Sequence, residues 1–467
     1  MLDLPFRRAL TLVLLSLPVA AQPGPAAPPA STPPPTTHGL DLASMDRSIL
    51  PGNDFFGYAN GNWLKTTEIP PDKSRWGVFD ALAEDSLRRT RGLVEEASRS
   101  NAATGSNERK VGDFYAAFMD EAAVEAKGLA PLKPDLDQVA GVKDKKDLAR
   151  LLGDELRIDV DPLNNTNFQT DHLFGLWVSP DFNAPDHNIA YLLQGGLGLP
   201  DREYYLNPSA RMADLRAKYR SHIAAVFELA GISGGEGKAS RILALETKMA
   251  RVHATRAQSL EVRRANNPWK REEFSKRAPG LNWTAFFEAA GLAAQPVIIA
   301  WHPKAIPGLA ALVASEPLAT WKEWLTFHTI DQRTSVLPKA FVDERFAFYG
   351  KTLTGAPQLS ERWKRASFAT SVALGDAVGQ LYVKRYFPPE AKTQVQEMVK
   401  NIVAAFRERI DKLDWMAPET KVRAKEKLAT LYVGVGYPEK WIDYSGLEVV
   451  RGDLMGNVER SSRFEYR

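Results

Sequence analysis

The number and spacing of its histidines set the first limit on the chemistry open to this 467-residue chain. The seven histidines, His38, His172, His187, His222, His253, His302 and His328, are scattered, and none stands four positions from another. A catalytic zinc takes three protein ligands and a water, and a helix offers two histidines to one ion when they lie four apart. No such pair exists here, and the chain has no cysteine whose thiolate could replace it. Lone histidines such as His222 and His328 therefore read as core or surface residues. Gly231-Ile232-Ser233-Gly234-Gly235 formally matches the G-x-S-x-G elbow, which needs a strand before the serine and a helix after it. A helical run precedes it here, so it reads as a loop. Gly237-Lys238 lacks the upstream glycine and the following Ser or Thr of a phosphate loop. Asn164-Asn165-Thr166 and Asn282-Trp283-Thr284 fit the glycosylation pattern, but Thr284 or Asn282 reads more simply as a helix N-cap.

One segment stands apart. In Leu197-Gly198-Leu199-Pro200-Asp201-Arg202-Glu203-Tyr204-Tyr205-Leu206, two glycines and a proline fix the backbone, and an acid–base–acid trio with paired tyrosines follows. From the residues alone it is a rigid loop capping a helix, with the tyrosines packed on neighbours. A functional use of the polar trio is the alternative, because perturbed polar clusters also mark working sites.

The elements that must position these residues are mainly helical. Val395, Val399, Ile402, Val403, Phe406, Ile410 and Leu413 recur at three- and four-residue steps within Lys392–Leu413. Pro418–Leu428 opens on proline and glutamate and ends in basic residues, the order a helix dipole favours. Similar amphipathic runs cover 78–96, 108–126, 212–230, 238–255 and 362–386. Gly231 and Gly291 fall just past apolar helical runs, where a left-handed terminating residue belongs. One region breaks the pattern: 174–178 and 188–194 read as two short strands around a polar turn, a β-hairpin embedded among helices.

The ends and the charge balance narrow the class. Arg7 and Arg8, the apolar run Ala9 to Ala20 and the small residues Val19-Ala20-Ala21 read as an export signal over residues 1–21. Its apolar run is shorter than the roughly 20 residues that span a bilayer, so no stable membrane anchor is expected. Residues 22–38 are proline-rich and read as a disordered tether. The expected location is therefore outside the cytoplasm, in a periplasm or the medium. A net charge of +3 from interspersed acids and bases gives no nucleic-acid footprint.

The segment 197–206 also resembles the LGLP-(S/D)-R-(D/E)-YY signature of the neprilysin-like M13 zinc metallopeptidases. Asp54-Phe55-Phe56-Gly57-Tyr58-Ala59-Asn60-Gly61-Asn62-Trp63-Leu64 is similar to that family's DFF-x-YA-x-G-x-W-(L/I) motif. Ser74-Arg75-Trp76-Gly77-Val78-Phe79-Asp80, Gly379-Gln380-Leu381-Tyr382-Val383, Leu413-Asp414-Trp415-Met416 with Glu419-Thr420-Lys421, and Val435-Gly436-Tyr437-Pro438 resemble further family motifs in the same order. Asn60 stands where animal members carry a cysteine, which suits a disulfide-free bacterial member.

The resemblance implies a mainly α fold: residues 39–467 would form the large helical lobe of a two-lobed peptidase, with the small hairpin embedded in it. It implies zinc as the cofactor of the complete enzyme and oligopeptides as substrates, hydrolysed in a thermolysin-like lobe. In the family, the H-E-x-x-H ligands lie C-terminal to every motif found here, so this chain is expected to bind no zinc and to be inactive alone. The final helical run carries no stop signal, so the chain is expected to be cut short, its catalytic lobe lying in the same gene or in a separate chain. The alternatives are a non-catalytic, chaperone-like peptide-binding protein and one half of a split peptidase. Arg75 matches an arginine that reaches toward the C-terminal side of the substrate, where a guanidinium fork suits a carboxylate. A second family arginine corresponds to Ala83. For Arg75 an ordinary solvated or ion-paired role stands beside the substrate-binding one.

Overall fold

This computed structural model describes residues 40–164 and 167–466. The export signal, the proline-rich tether and part of the Asn164-Asn165-Thr166 pattern lie outside the described residues. The chain divides into two compact units. The larger takes Leu93–Gly355, Glu361–Leu381 and Trp441–Arg467; the smaller takes the described residues of Met1–Gly92 with Ala356–Ser360 and Tyr382–Lys440.

The larger unit is helical around one small sheet. Strands β1 (Phe174–Pro180) and β2 (Asn188–Gln194) form the expected hairpin, with Phe174 opposite Gln194 and Pro180 opposite Asn188. The polar turn closes because the Asp181 N–H donates to the His187 carbonyl at 2.8 Å, while the Asp181 carboxylate accepts from the Asn183 N–H. Two further strands complete the sheet. β3 (Pro268–Lys270) and β4 (Val297–Ala300) give the order β1-β2-β4-β3, with β4 parallel to β2. The sheet packs on helices through aromatic residues. Phe174 lies 5.5 Å from Trp283 and 5.6 Å from Phe286, ring centre to ring centre. The helix Lys145–Asp154 crosses Trp283–Ala289 so closely that a Cβ on Gly153 would collide with the Phe286 carbonyl oxygen. Only glycine fits there.

Local chemistry explains where the helices stop. Gly231 and Gly291 both adopt φ +70°, and the N–H of the next residue returns to the last turn, Ile232 to Phe227 O and Leu292 to Phe287 O. Asn282, not Thr284, is the N-cap, accepting from the Ala285 N–H at 3.0 Å. The run over 108–126 divides into Asn107–Met119 and Glu121–Lys127 because the Asp120 carboxylate caps the second helix at the Ala123 N–H. The run over 362–386 likewise divides at Leu374. Gly231 to Gly234 is a loop between two helices, Ala210–Leu229 and Gly235–Val252.

The smaller unit holds little core. Asp54 caps Phe55–Thr66 through the Gly57 N–H, and Lys65 pairs with Asp46 at 2.6 Å. The helices Pro389–Lys412 and Pro418–Ala429 form a hairpin, tied by Lys425 to Asp411 at 2.7 Å, in which neither helix buries a residue. Met398, Ile402 and Phe406 of the first helix are exposed. Among the described residues no helix is long and apolar enough to cross a membrane.

Candidate functional site

Arg75 lies just before the helix Val78–Arg99 in the smaller unit. Its side chain is 87% exposed, and its Nε stands 3.8 Å from Asp80 Oδ1. So loose and solvated a pair holds the side chain weakly, which leaves the guanidinium fork able to take a ligand. Ala83, in the first turns of that helix, is also exposed and brings no charge.

The 197–206 segment sits in the larger unit over a buried polar network. Asp201 caps the short helix Arg202–Leu206 by accepting from the Glu203 N–H at 2.7 Å. Arg202 Nε donates to the Ala250 carbonyl, and its Nη1 pairs with Glu203 at 2.9 Å. The acid–base–acid trio thus has structural duties. Tyr205 Oη accepts from the Leu199 N–H at 2.9 Å and donates to Glu246 Oε2 at 2.7 Å. Glu246 also receives the Tyr219 hydroxyl at 3.3 Å and His328 Nε2 at 2.8 Å. Gly198 is required beneath them, since a Cβ there would run into the Tyr219 hydroxyl. Burial, reinforced by the Glu246 charge, holds the Tyr205 and Tyr219 hydroxyls well above the usual phenol range.

A second acid carries the network onward. His222 places Nδ1 3.0 Å from Glu344 Oε1 and Nε2 3.2 Å from Asp331 Oδ1. A neutral imidazole has one N–H, so two carboxylate partners call for the imidazolium. Burial opposes that charge, but the hydrogen bonds to Asp331 and Glu344 outweigh it and raise the pKa. The same balance, with Glu246 as partner, raises His328. Asp331 also takes Arg345 at 2.9 Å and the Tyr349 hydroxyl at 3.1 Å. Burial pushes it up, yet His222 and Arg345 bring it down to about 2. Tyr349 reaches Asp331 from a π-helix, Phe346–Thr354, whose wide turns shift side-chain phase relative to an α-helix.

The other buried histidines are neutral. His302 Nδ1 accepts from the Gln194 N–H at 3.2 Å, which leaves Nε2 to donate to Ser259 Oγ at 2.9 Å. His253 Nε2 donates to the Gly195 carbonyl at 3.0 Å. Burial lowers His302 to about 3 and His253 to about 4. Among the described residues no three His, Asp or Glu side chains are grouped to hold a metal ion. The network imidazoles already face carboxylates, a backbone N–H or a carbonyl, so this donor set does not fit a catalytic zinc.

Sequence reasoning found the 197–206 segment but not the acids beneath it. A signal for Glu246 was present: Ile242, Leu245, Met249 and Ala250 form the buried stripe of its helix, and Glu246 lies within that stripe. Asp331 is flagged in the same way by Trp324, Phe327 and Ile330.

A model of peptidase family M13 matches residues 51–438. Human endothelin-converting enzyme 1 is 29% identical over 426 residues, covering 88% of this chain and 53% of that protein. Neprilysin-3 of Drosophila melanogaster is 27% identical, covering 91% and 55%. The zinc metalloprotease Zmp1 of Mycobacterium tuberculosis, solved with an inhibitor, superposes with a TM-score of 0.84 at 36% identity, covering 91% of this chain and 64% of that one. This chain spans about half the length of the two enzymes matched by sequence. The motif order, the helical fold with its four-stranded mixed sheet and the family match agree, and the chain belongs to peptidase family M13.

Proposed function

We propose that this chain serves peptide hydrolysis as the substrate-handling part of an exported zinc metalloendopeptidase that acts on oligopeptides. The observation that carries this is the family match over 51–438, supported by similarity to a zinc metalloprotease along 91% of the chain. The H-E-x-x-H pair on which such hydrolysis depends is not among its 467 residues. The zinc-binding lobe is therefore assigned to other sequence, and the chain alone is silent. Its own contribution is to enclose and orient the peptide, with Arg75 among the contacting side chains, since positioning alone supplies a large part of a catalysed rate. Residues 1–21 direct it out of the cytoplasm.

The test is a purified 467-residue chain, with its zinc content measured and its cleavage of a quenched fluorescent oligopeptide followed with and without chelator. The expected outcome is peptide binding without metal and without cleavage. Stoichiometric zinc together with chelator-sensitive cleavage would overturn the reading.

A further inference from the structure

We propose that Leu431–Val435, an unpaired stretch of backbone in the smaller unit, is a docking surface for a second copy of this chain, joined by antiparallel strand pairing about Val433.

Leu431-Tyr432-Val433-Gly434-Val435 runs without turn or bend after the helix Pro418–Ala429. Tyr432, Val433 and Val435 favour strands, yet the smaller unit has no strand among its described residues for them to join. The Leu431 N–H returns to the Leu428 carbonyl at 3.4 Å, and there the pairing stops. Among the described residues, no hydrogen bond reaches the backbone of Tyr432, Val433, Gly434, Val435 or Gly436. Their side chains are open too, with Leu431 57%, Tyr432 83% and Val433 42% exposed. The far end is nonetheless anchored. Gly436 takes φ +73° with the Phe387 ring against it, and Lys392 donates to the Tyr437 carbonyl at 2.9 Å while standing over the Tyr437 ring. Held between a helix and this anchor, the stretch is a fixed edge, not a loose loop.

A free edge is a template for another extended backbone, and proteins blunt one with charge, proline or a bulge. Leu431 to Tyr437 carries neither charge nor proline. The order of its residues selects the partner. Antiparallel about Val433, two copies set Leu431 opposite Val435, Tyr432 opposite Gly434 and Val433 opposite itself. That register explains Gly434. Its φ is not left-handed, and a Cβ there would meet nothing within 4 Å, so nothing inside the chain requires a glycine. A cross-strand aromatic ring laid over a glycine supplies the packing that the glycine lacks, and Tyr432 would lie over the partner's Gly434. The free hydrogen-bonding groups fit the same register. Because the Leu431 N–H is taken, the fully open edge is the one formed by Tyr432, Gly434 and Gly436. Each Tyr432 would then exchange N–H···O bonds with the partner's Gly434, which leaves the two Val433 residues a non-hydrogen-bonded pair with Cα atoms ~4.5 Å apart. A few hydrogen bonds and a short apolar strip make a small interface, so the association is reversible.

The test uses the full chain, which has no cysteine of its own, so Val433→Cys puts one thiol at the two-fold axis. The control is Val422→Cys on the neighbouring helix, where the side chain is 52% exposed. A disulfide needs Cα atoms ~4.4–6.8 Å apart, so under mild oxidation Val433→Cys should form a covalent dimer at least about tenfold faster than Val422→Cys. Sedimentation of the unsubstituted chain should show a dimer that grows with concentration. Val433→Asp sets two like charges opposite each other and should weaken that dimer at least about tenfold, and Tyr432→Ala several-fold, with the melting curve of each unchanged. Equal crosslinking of the two cysteine variants would overturn the proposal. So would a chain that stays monomeric at every concentration, or a dimer that Val433→Asp leaves intact.

Discussion

His328 Nε2 lies 2.8 Å from Oε1 of Glu246, a carboxylate with no exposed surface. A charge this deep is tolerable because an imidazolium and two tyrosine hydroxyls surround it. Removing one side should leave the other uncompensated. Glu246→Ala is expected to cost ~3–5 kcal/mol, the scale for a broken buried pair, seen as a lower urea midpoint. A loss below about 1 kcal/mol would show that the network is not holding the fold.

Stability should peak near neutral pH. His222 and His328 are raised by their carboxylates, so their contribution is full below the unfolded value of about 6.5 and is lost as pH rises through the folded values. His253 and His302, held neutral near 4 and 3, act in the opposite sense. Their contribution is full above about 6.5 and is lost as pH falls toward those values. Urea midpoints at pH 4.5, 6.5 and 9 should trace a dome. His222→Gln should flatten its alkaline side only.

Gly198→Ala tests the close approach of the 197–206 segment to Tyr219. The added methyl must displace the Tyr219 hydroxyl, and through it Glu246. Overpacking of this kind costs about 1–3 kcal/mol, and a drop in melting temperature would report it. No change on melting would mean that the loop can lift away freely.

Arg75→Ala should leave stability within about 0.5 kcal/mol, because the side chain is solvated and its ion pair with Asp80 is loose. If Arg75 holds substrate as proposed, peptide affinity should fall while the melting curve stays in place. Unchanged affinity would return Arg75 to an ordinary surface role.

Much of this fold was legible because its signals are local. The 174–194 hairpin showed itself through two apolar runs and a polar turn, and Ala210–Leu229 through its period and the terminating Gly231. Strands β3 and β4 were not legible. Three and four residues cannot display alternation, and β4 is ordered by pairing with β2, about a hundred residues earlier. The breaks at Asp120 and Leu374 were hidden because apolar residues continue across them. At the candidate site the Leu197–Leu206 motif stood out, while Glu246, Asp331 and the π-helical Tyr349 did not. Their role is set by partners 14 to 109 positions away, which no periodicity encodes.

The hairpin of Pro389–Lys412 and Pro418–Ala429 has a further consequence for how the chain breathes. With no side chain fully sheltered in either helix, opening it exposes little that water does not already touch. Its amides should take up deuterium rapidly, whereas Ala210–Leu229, with Tyr219, Ile223, Val226 and Phe227 wholly enclosed, should exchange only when its unit unfolds. Trypsin, offered lysines and arginines on both arms of the hairpin, should make its first cuts there.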